Sequence, residues 1–240
     1  MNLKIFQSIK HYFKVRNKEK IHFLHIGKTG GTAVKEALRN RLITSKYFII
    51  LHSHSTTLYD IPIGEKVFFF LRDPITRYIS GFYSRQRKGR PRYDNEWSKE
   101  EKIAFNNFDN PNTLAEALTS ENAEYKANAE FAMRNIYHVK NSFWDWFGTE
   151  EYFLSRLEDV FYIGFQENLE KDFDTIITKL NIKKDVSLPV DRVKAHINPV
   201  NVDYTLSNLA LKNLKKWYEN DYKFISLCKK YFQHLFLDKY

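Results

Sequence analysis

The chain predicts an α/β fold with a central, mostly parallel sheet flanked by helices, and three observations lead there. Four short apolar runs, at about residues 21–26, 47–51, 66–71 and 160–164, read as buried strands. Segments with apolar residues at helical spacing alternate with them, so the strands join by crossovers that place helices on both faces. A length of 240 residues with 43% hydrophobic content gives one large domain with a full core.

The first strand, Ile21-His-Phe-Leu-His-Ile26, runs into Gly27-Lys28-Thr29-Gly30-Gly31-Thr32, and Ala33, Val34, Ala37, Leu38 and Leu42 then mark one face of a helix. Strand, glycine-rich turn and helix N-terminus together point backbone N–H groups at one spot where the helix dipole favours an anion. Lys28 adds a mobile cation there, and Thr29 and Thr32 add hydroxyls. Glycine at 30 and 31 allows positive φ and a close approach of backbone to ligand. Gly27-Lys28-Thr29 also matches the end of a nucleotide-triphosphate loop, but that pattern needs a glycine five residues before Gly27, where the chain has His22. A kinase or other nucleotide-binding phosphotransferase is the alternative that this departure disfavours.

The second strand, 47–51, ends at His52-Ser-His54. The two histidines lie two apart, on one side of the chain if it stays extended. A zinc site would need further ligands, and none is spaced nearby in the sequence, so no metal is expected. The third strand, Lys66–Leu71, leads into Arg72-Asp73-Pro74-Ile-Thr-Arg77-Tyr-Ile-Ser80. Asp73 suits an N-cap and Pro74 the first helical turn. Arg77 and Ser80 share a helix face, and Arg72 at the strand end with Ser80 can grip a phosphate. Lys28, the histidines and Arg72 all fall at the carboxyl ends of strands, where ligands of open parallel sheets bind.

His25-Ile-Gly-Lys-Thr-Gly-Gly-Thr32 and Arg72-Asp-Pro…Ser80 together resemble two motifs of the carbohydrate sulfotransferases, in particular the branch of the heparan and dermatan 2-O-sulfotransferases and their bacterial relatives. Members often have proline where this chain has Gly27 and serine where it has Ala33. The resemblance implies a P-loop, nucleotide-kinase-like fold and the co-substrate 3′-phosphoadenosine 5′-phosphosulfate (PAPS), with PAP as product. It implies that Lys28, Thr29, Gly30, Gly31 and Thr32 hold the 5′-phosphosulfate and that Arg72 and Ser80 hold the 3′-phosphate. It also implies a histidine as general base, His54 before His52, with Lys28 on the leaving group. The acceptor implied is a hydroxyl of a saccharide or glycolipid.

Farther along, Val160–Gly164 and Glu167, followed by Leu169, Phe173, Ile176, Ile177 and Leu180, form a strand and helix similar to the family's Gly-x-x-Glu element and read mainly as core. Arg85-Gln-Arg87-Lys88-Gly-Arg90-Pro-Arg92 reads either as a solvated loop or as a surface that meets an acidic acceptor. A helical segment at about 112–147, rich in aromatic residues, is assigned to substrate contact as a whole. Lys194-Ala-His196-Ile-Asn198-Pro199 loosely matches a loop that closes over PAPS in the family. Residues 206–228 show one helical stripe ending at the only cysteine, Cys228.

The net charge of +9 favours anionic partners without choosing among them. A nucleic-acid module would explain the charge but not two phosphate elements after successive buried strands, so no nucleic acid is expected. Residues 1–20 read as a basic amphipathic segment, with Ile5, Phe6, Ile9, Tyr12 and Phe13 on one stripe, able to lie on an anionic membrane or pack on the domain formed by 21–240. Neither a secretion signal nor an N-terminal anchor is evident, and the expectation is a bacterial cytoplasmic enzyme, with peripheral contact at the inner face of the membrane as a further option.

Overall fold

The computed structural model describes residues 14–183, 185–191, 193 and 203–232. In chain order its elements are β1 (Glu19–Phe23), α1 (Gly31–Leu38), β2 (Tyr47–Leu51), β3 (Lys66–Leu71), α2 (Pro74–Gln86), α3 (Lys99–Asn107), α4 (Pro111–Ala117), α5 (Ala123–Asn135), α6 (Trp144–Phe147), α7 (Glu150–Ser155), β4 (Val160–Phe165), α8 (Leu169–Lys179), α9 (Asn208–Trp217) and α10 (Glu219–Tyr231). They fall into two compact units. The first holds the described part of Met1–Ile26 with Gly30–Leu71 and Trp146–Val190; the second holds Gly27–Thr29, Arg72–Asp145 and the described part of Asp191–Tyr240.

The first unit contains the sheet, four parallel strands in the order β2-β1-β3-β4. The predicted α/β class and all four predicted strands are present, within two or three residues at each end. β3 is apolar on both faces because both are covered. Phe68 and Phe70 turn toward α1 and α8, where they pack with Phe23, Val34, Leu38, Phe173 and Ile176. Phe69 faces the other way and meets Phe147, which in turn meets Phe153. Each such buried ring contributes roughly 1.5–3 kcal/mol of transfer free energy. Gly164 in β4 is required by this packing, since a Cβ there would stand 2.4 Å from Phe70 Cε1.

The second unit is helical. Its core joins Tyr78 and Phe82 of α2, Phe105 of α3, Leu114 of α4, Ala132 and Met133 of α5, and Ala210 and Leu214 of α9. α2 starts as the sequence predicts: the Asp73 carboxylate accepts from the backbone N–H groups of Ile75 and Thr76, both at 3.0 Å, and Pro74 occupies the first turn.

Two continuous helical readings are corrected. The segment at 112–147 is broken into α4, α5 and the short α6, because Asn122 leaves the helix to cap α5 through the Tyr125 N–H. The stripe at 206–228 is broken at Tyr218, whose buried hydroxyl donates to the Val139 carbonyl at 2.8 Å. Cys228 is buried in α10, as expected. The amphipathic stripe at residues 5–13 and the loop at 194–199 lie outside the described residues. Among the described residues no helix is long and apolar enough to cross a membrane.

Candidate active site

The glycine-rich turn after β1 uses two left-handed residues, Lys28 at φ 67° and Gly30 at φ 84°. Gly30 is the N-cap of α1 and has no capping side chain, so the first N–H groups of the helix are not closed off by one. Gly31 differs from the sequence expectation. It has ordinary helical φ, and its missing side chain makes room for a histidine, because a Cβ would lie 2.1 Å from His25 Cδ2. Thr29 is buried and Thr32 half-buried.

In the second unit, Gly27–Thr29 is gripped from α2 and the strand end before it. Arg77, fully buried, donates from Nε to the Gly27 carbonyl at 3.0 Å and from Nη1 to the Asn141 carbonyl at 2.7 Å. Arg72 donates from Nη1 to the Lys28 carbonyl at 3.4 Å and from Nε to Thr76 Oγ1 at 3.0 Å. Burial first, then the Arg87 and Arg72 guanidinium groups, push the Lys28 ammonium down to about 7. Arg87 donates its Nε to the Arg90 carbonyl at 2.6 Å, yet its buried Nη1 and Nη2 have no hydrogen-bond partner among the described residues. Ser80 lies buried on the same helix, seven residues before Arg87. Three cations thus crowd one place, and one of them presents two unsatisfied buried donors. Such a cluster suits a multiply charged anion.

The remaining cations of 85–92 have other employment. Arg85 makes a buried two-pronged bond to Glu101, both contacts at 2.6 Å. Lys88 pairs with Glu96 at 2.6 Å, Arg90 with Asp94 at 2.9 Å, and Arg92 donates from Nε to Tyr93 Oη at 3.1 Å.

The histidines gather in the first unit. His22 of β1 pairs in register with Ile50 of β2, so His52, two residues on, points to the same side of the sheet as Ile50. His22 Nδ1 stands 2.7 Å from His52 Nε2, and His22 Nε2 stands 2.6 Å from Glu65 Oε2. Lys20 holds the other Glu65 oxygen at 2.8 Å. Burial lowers the His22 pKa against the upward pull of Glu65, and burial with the neighbouring His22 lowers that of His52. Burial also works to raise the Glu65 pKa, but hydrogen bonds from Lys20 and His22 outweigh it and hold the carboxyl below its usual value.

His54 is held differently. The chain turns at residues 54 and 55, so His52 and His54 do not continue as one extended face. His54 Nδ1 donates to the His25 carbonyl at 3.1 Å, and the two rings lie 3.8 Å apart. Burial pushes His25 down to about 2. Lys35 Nζ donates to the His52 carbonyl and Trp146 Nε1 to the His54 carbonyl, both at 2.9 Å, fixing the backbone of the pair. Among the described residues no group of three or more His, Cys, Asp or Glu side chains is arranged to hold a metal ion.

The structure therefore brings Lys28, Arg72 and the unforeseen Arg87 together in one unit, and His52 and His54 together with His22, His25 and Glu65 in the other. The signal for His22 was present in the sequence, as a polar side chain inside a buried strand. Nothing in the sequence distinguished Arg87 from the four cations around it.

A model of the sulfotransferase family matches residues 11–225. The chain belongs to the sulfotransferase family. No curated protein and no solved structure gives a significant match. As a sulfotransferase the protein is a transferase enzyme that moves a sulfuryl group, and its parallel sheet with flanking helices is the P-loop-like α/β arrangement of that family.

Proposed function

We propose that this sulfotransferase takes its sulfuryl group from PAPS and delivers it to a hydroxyl of a saccharide or glycolipid, in the manner of the heparan and dermatan 2-O-sulfotransferase branch. The observation that carries the reading is the cation group of Lys28, Arg72 and Arg87, with its depressed ammonium and two unsatisfied buried guanidinium nitrogens. A protein gains nothing from crowding like charges unless an anion relieves them. PAPS is an anion with two phosphate ends, and the residues present fit it.

In this reading Lys28 and the loop residues Thr29, Gly30, Gly31 and Thr32 hold the phosphosulfate, and Arg72 with Ser80 holds the 3′-phosphate. The acceptor oxygen bonds to sulfur while the bond from sulfur to the bridging phosphate oxygen breaks, and the electron pair of that bond leaves with PAP. Lys28 stabilises the charge growing on the departing oxygen. The hydroxyl proton goes to a histidine of the His52 and His54 pair. The two histidines differ in support, since one bonds to an imidazole and the other to a carbonyl.

Incubation with radiolabelled PAPS and a panel of desulfated glycans and glycolipids tests the reading. Label should pass to at least one saccharide acceptor. Transfer to a non-carbohydrate hydroxyl alone would overturn the acceptor class, and PAPS left intact with every acceptor, while another sulfuryl donor is used, would overturn the donor.

A further inference from the structure

We propose that Glu65 and His22 form a relay that sets His52 as the proton acceptor. The inference deepens the reading above and rests on it for the reaction, but the relay itself is a property of the chain.

The argument begins with donors and acceptors. An ionised carboxylate only accepts, so at 2.6 Å from Glu65 Oε2 the proton must sit on His22 Nε2. His22 is buried and held neutral, which leaves its Nδ1 as an acceptor. His52 Nε2, 2.7 Å away, must then donate to it. With Nε2 carrying the proton, the lone pair of neutral His52 is on Nδ1. The two ring planes lie within 9° of parallel, with centroids 5.0 Å apart. Each member fixes the tautomer of the next, and the chain starts from a carboxylate that Lys20 keeps ionised.

His54 has a different orienting group. Its Nδ1–H donates to the His25 carbonyl, a neutral dipole, and its ring lies against a histidine that burial keeps uncharged. The lone pair on His52 Nδ1 is the one the relay leaves to take a proton. For His52 the orienting chain ends in a full negative charge that favours the imidazolium formed when the acceptor proton arrives. When His52 Nδ1 takes that proton, the new charge spreads along the Nε2–H bond to His22 and is met by Glu65. Glu65 and His22 are positioning residues, and His52 is the catalytic one.

The groups acting on the relay come from several elements. Asp60 raises the His52 pKa while His22 and Lys35 lower it, and Lys20 and Arg156 lower that of His22. Glu65 acts on His52 through the bonds of His22, so removing its charge should make His52 less basic.

Two measurements on the full chain test this. Long-range ¹⁵N–¹H spectra should show His22 and His52 as neutral Nε2–H tautomers. In Glu65→Gln, where an amide oxygen can still accept from His22, the His52 titration should move to lower pH. In the second measurement, kcat against pH with saturating PAPS should show the acid limb of Glu65→Gln displaced to lower pH, with roughly tenfold lower turnover on the plateau, and Glu65→Asp restoring part of it. His52→Ala should lose about 10² or more in kcat, the scale for a positioned base, and His54→Ala less. An Nδ1–H tautomer at His52, or a Glu65→Gln profile that superposes on the wild type, overturns the relay. An inactive His54→Ala beside an active His52→Ala moves the base to His54. Spectra as expected in a protein that consumes no PAPS would instead overturn the donor reading and leave the relay standing.

Discussion

The cation group of the second unit and the histidine group of the first solve opposite electrostatic problems. Around Lys28 the chain places Arg72 and Arg87 so that each opposes the charge of the lysine, and two guanidinium nitrogens of Arg87 have no partner among the described residues. Around His52 the donors and acceptors match from Glu65 inward, and the carboxylate has two basic partners. The first arrangement costs stability until a ligand arrives, whereas the second is complete beforehand. On the proposed reading, the groups that bind charge are held in tension and the groups that move a proton are held in register.

The largest effect should come from Lys28. Lys28→Ala removes the one mobile cation of the turn and should lower kcat about 10²-fold or more, the scale of losing a preorganised charge-stabilising donor. Steady-state kinetics decide the matter: unchanged turnover with only a raised KM for PAPS would make Lys28 a binding residue and blunt the contrast with His52.

A smaller effect, which sharpens the comparison, is expected at Arg72 and Arg87. Each substitution by Ala should weaken PAP by roughly 10- to 100-fold, the loss of a charge-assisted bond worth about 1.5–3 kcal/mol. Arg72→Ala should weaken PAP far more than adenosine 5′-phosphate. The two should then diverge in stability without ligand. Arg72 makes hydrogen bonds to Thr76 and to the Lys28 carbonyl, so its loss should lower Tm, whereas Arg87→Ala gives up one bond to the Arg90 carbonyl but also removes two unsatisfied buried donors, and should change Tm little. Thermal unfolding with and without PAP reads both quantities, and a large drop in Tm for Arg87→Ala would show that its guanidinium is a structural group.

The strands and the start of α2 were legible because their signals are local: a run of apolar residues, then an aspartate and a proline in capping order. Helix breaks at Asn122 and Tyr218 were not, since a capping asparagine looks like a surface residue and a buried tyrosine looks like one more member of an apolar stripe. The same distinction runs through the site. The sequence pointed to Lys28, Arg72, His52 and His54, which stand at strand ends or in a recognisable turn. The partners His22 and Glu65 come from 30 and 13 residues away in the chain: the parallel register of β1 on β2 brings His22 to His52, and that of β1 on β3, which Glu65 immediately precedes, brings Glu65 to His22. Arg87 was hidden for another reason: which of five neighbouring cations is left unsatisfied depends on where Glu101, Glu96 and Asp94 end up.

Calorimetric titration with PAP at about pH 8.5, in two buffers of different ionisation enthalpy, tests the central claim most directly. In the folded protein without ligand the Lys28 pKa is lowered from its ordinary 10.5 to about 7. Between those values the unfolded chain holds a proton that the folded chain lacks, so this group's contribution to stability rises with pH across the window. PAP supplies negative charge beside the ammonium and should lift its pKa again, so binding should take up close to one proton at pH 8.5. Mg·ATP should bind weakly or not at all. Tight PAP binding with no net proton uptake would contradict the account of a crowded, largely neutral Lys28 awaiting its anion, and tight Mg·ATP binding with none by PAP would contradict the PAPS reading itself.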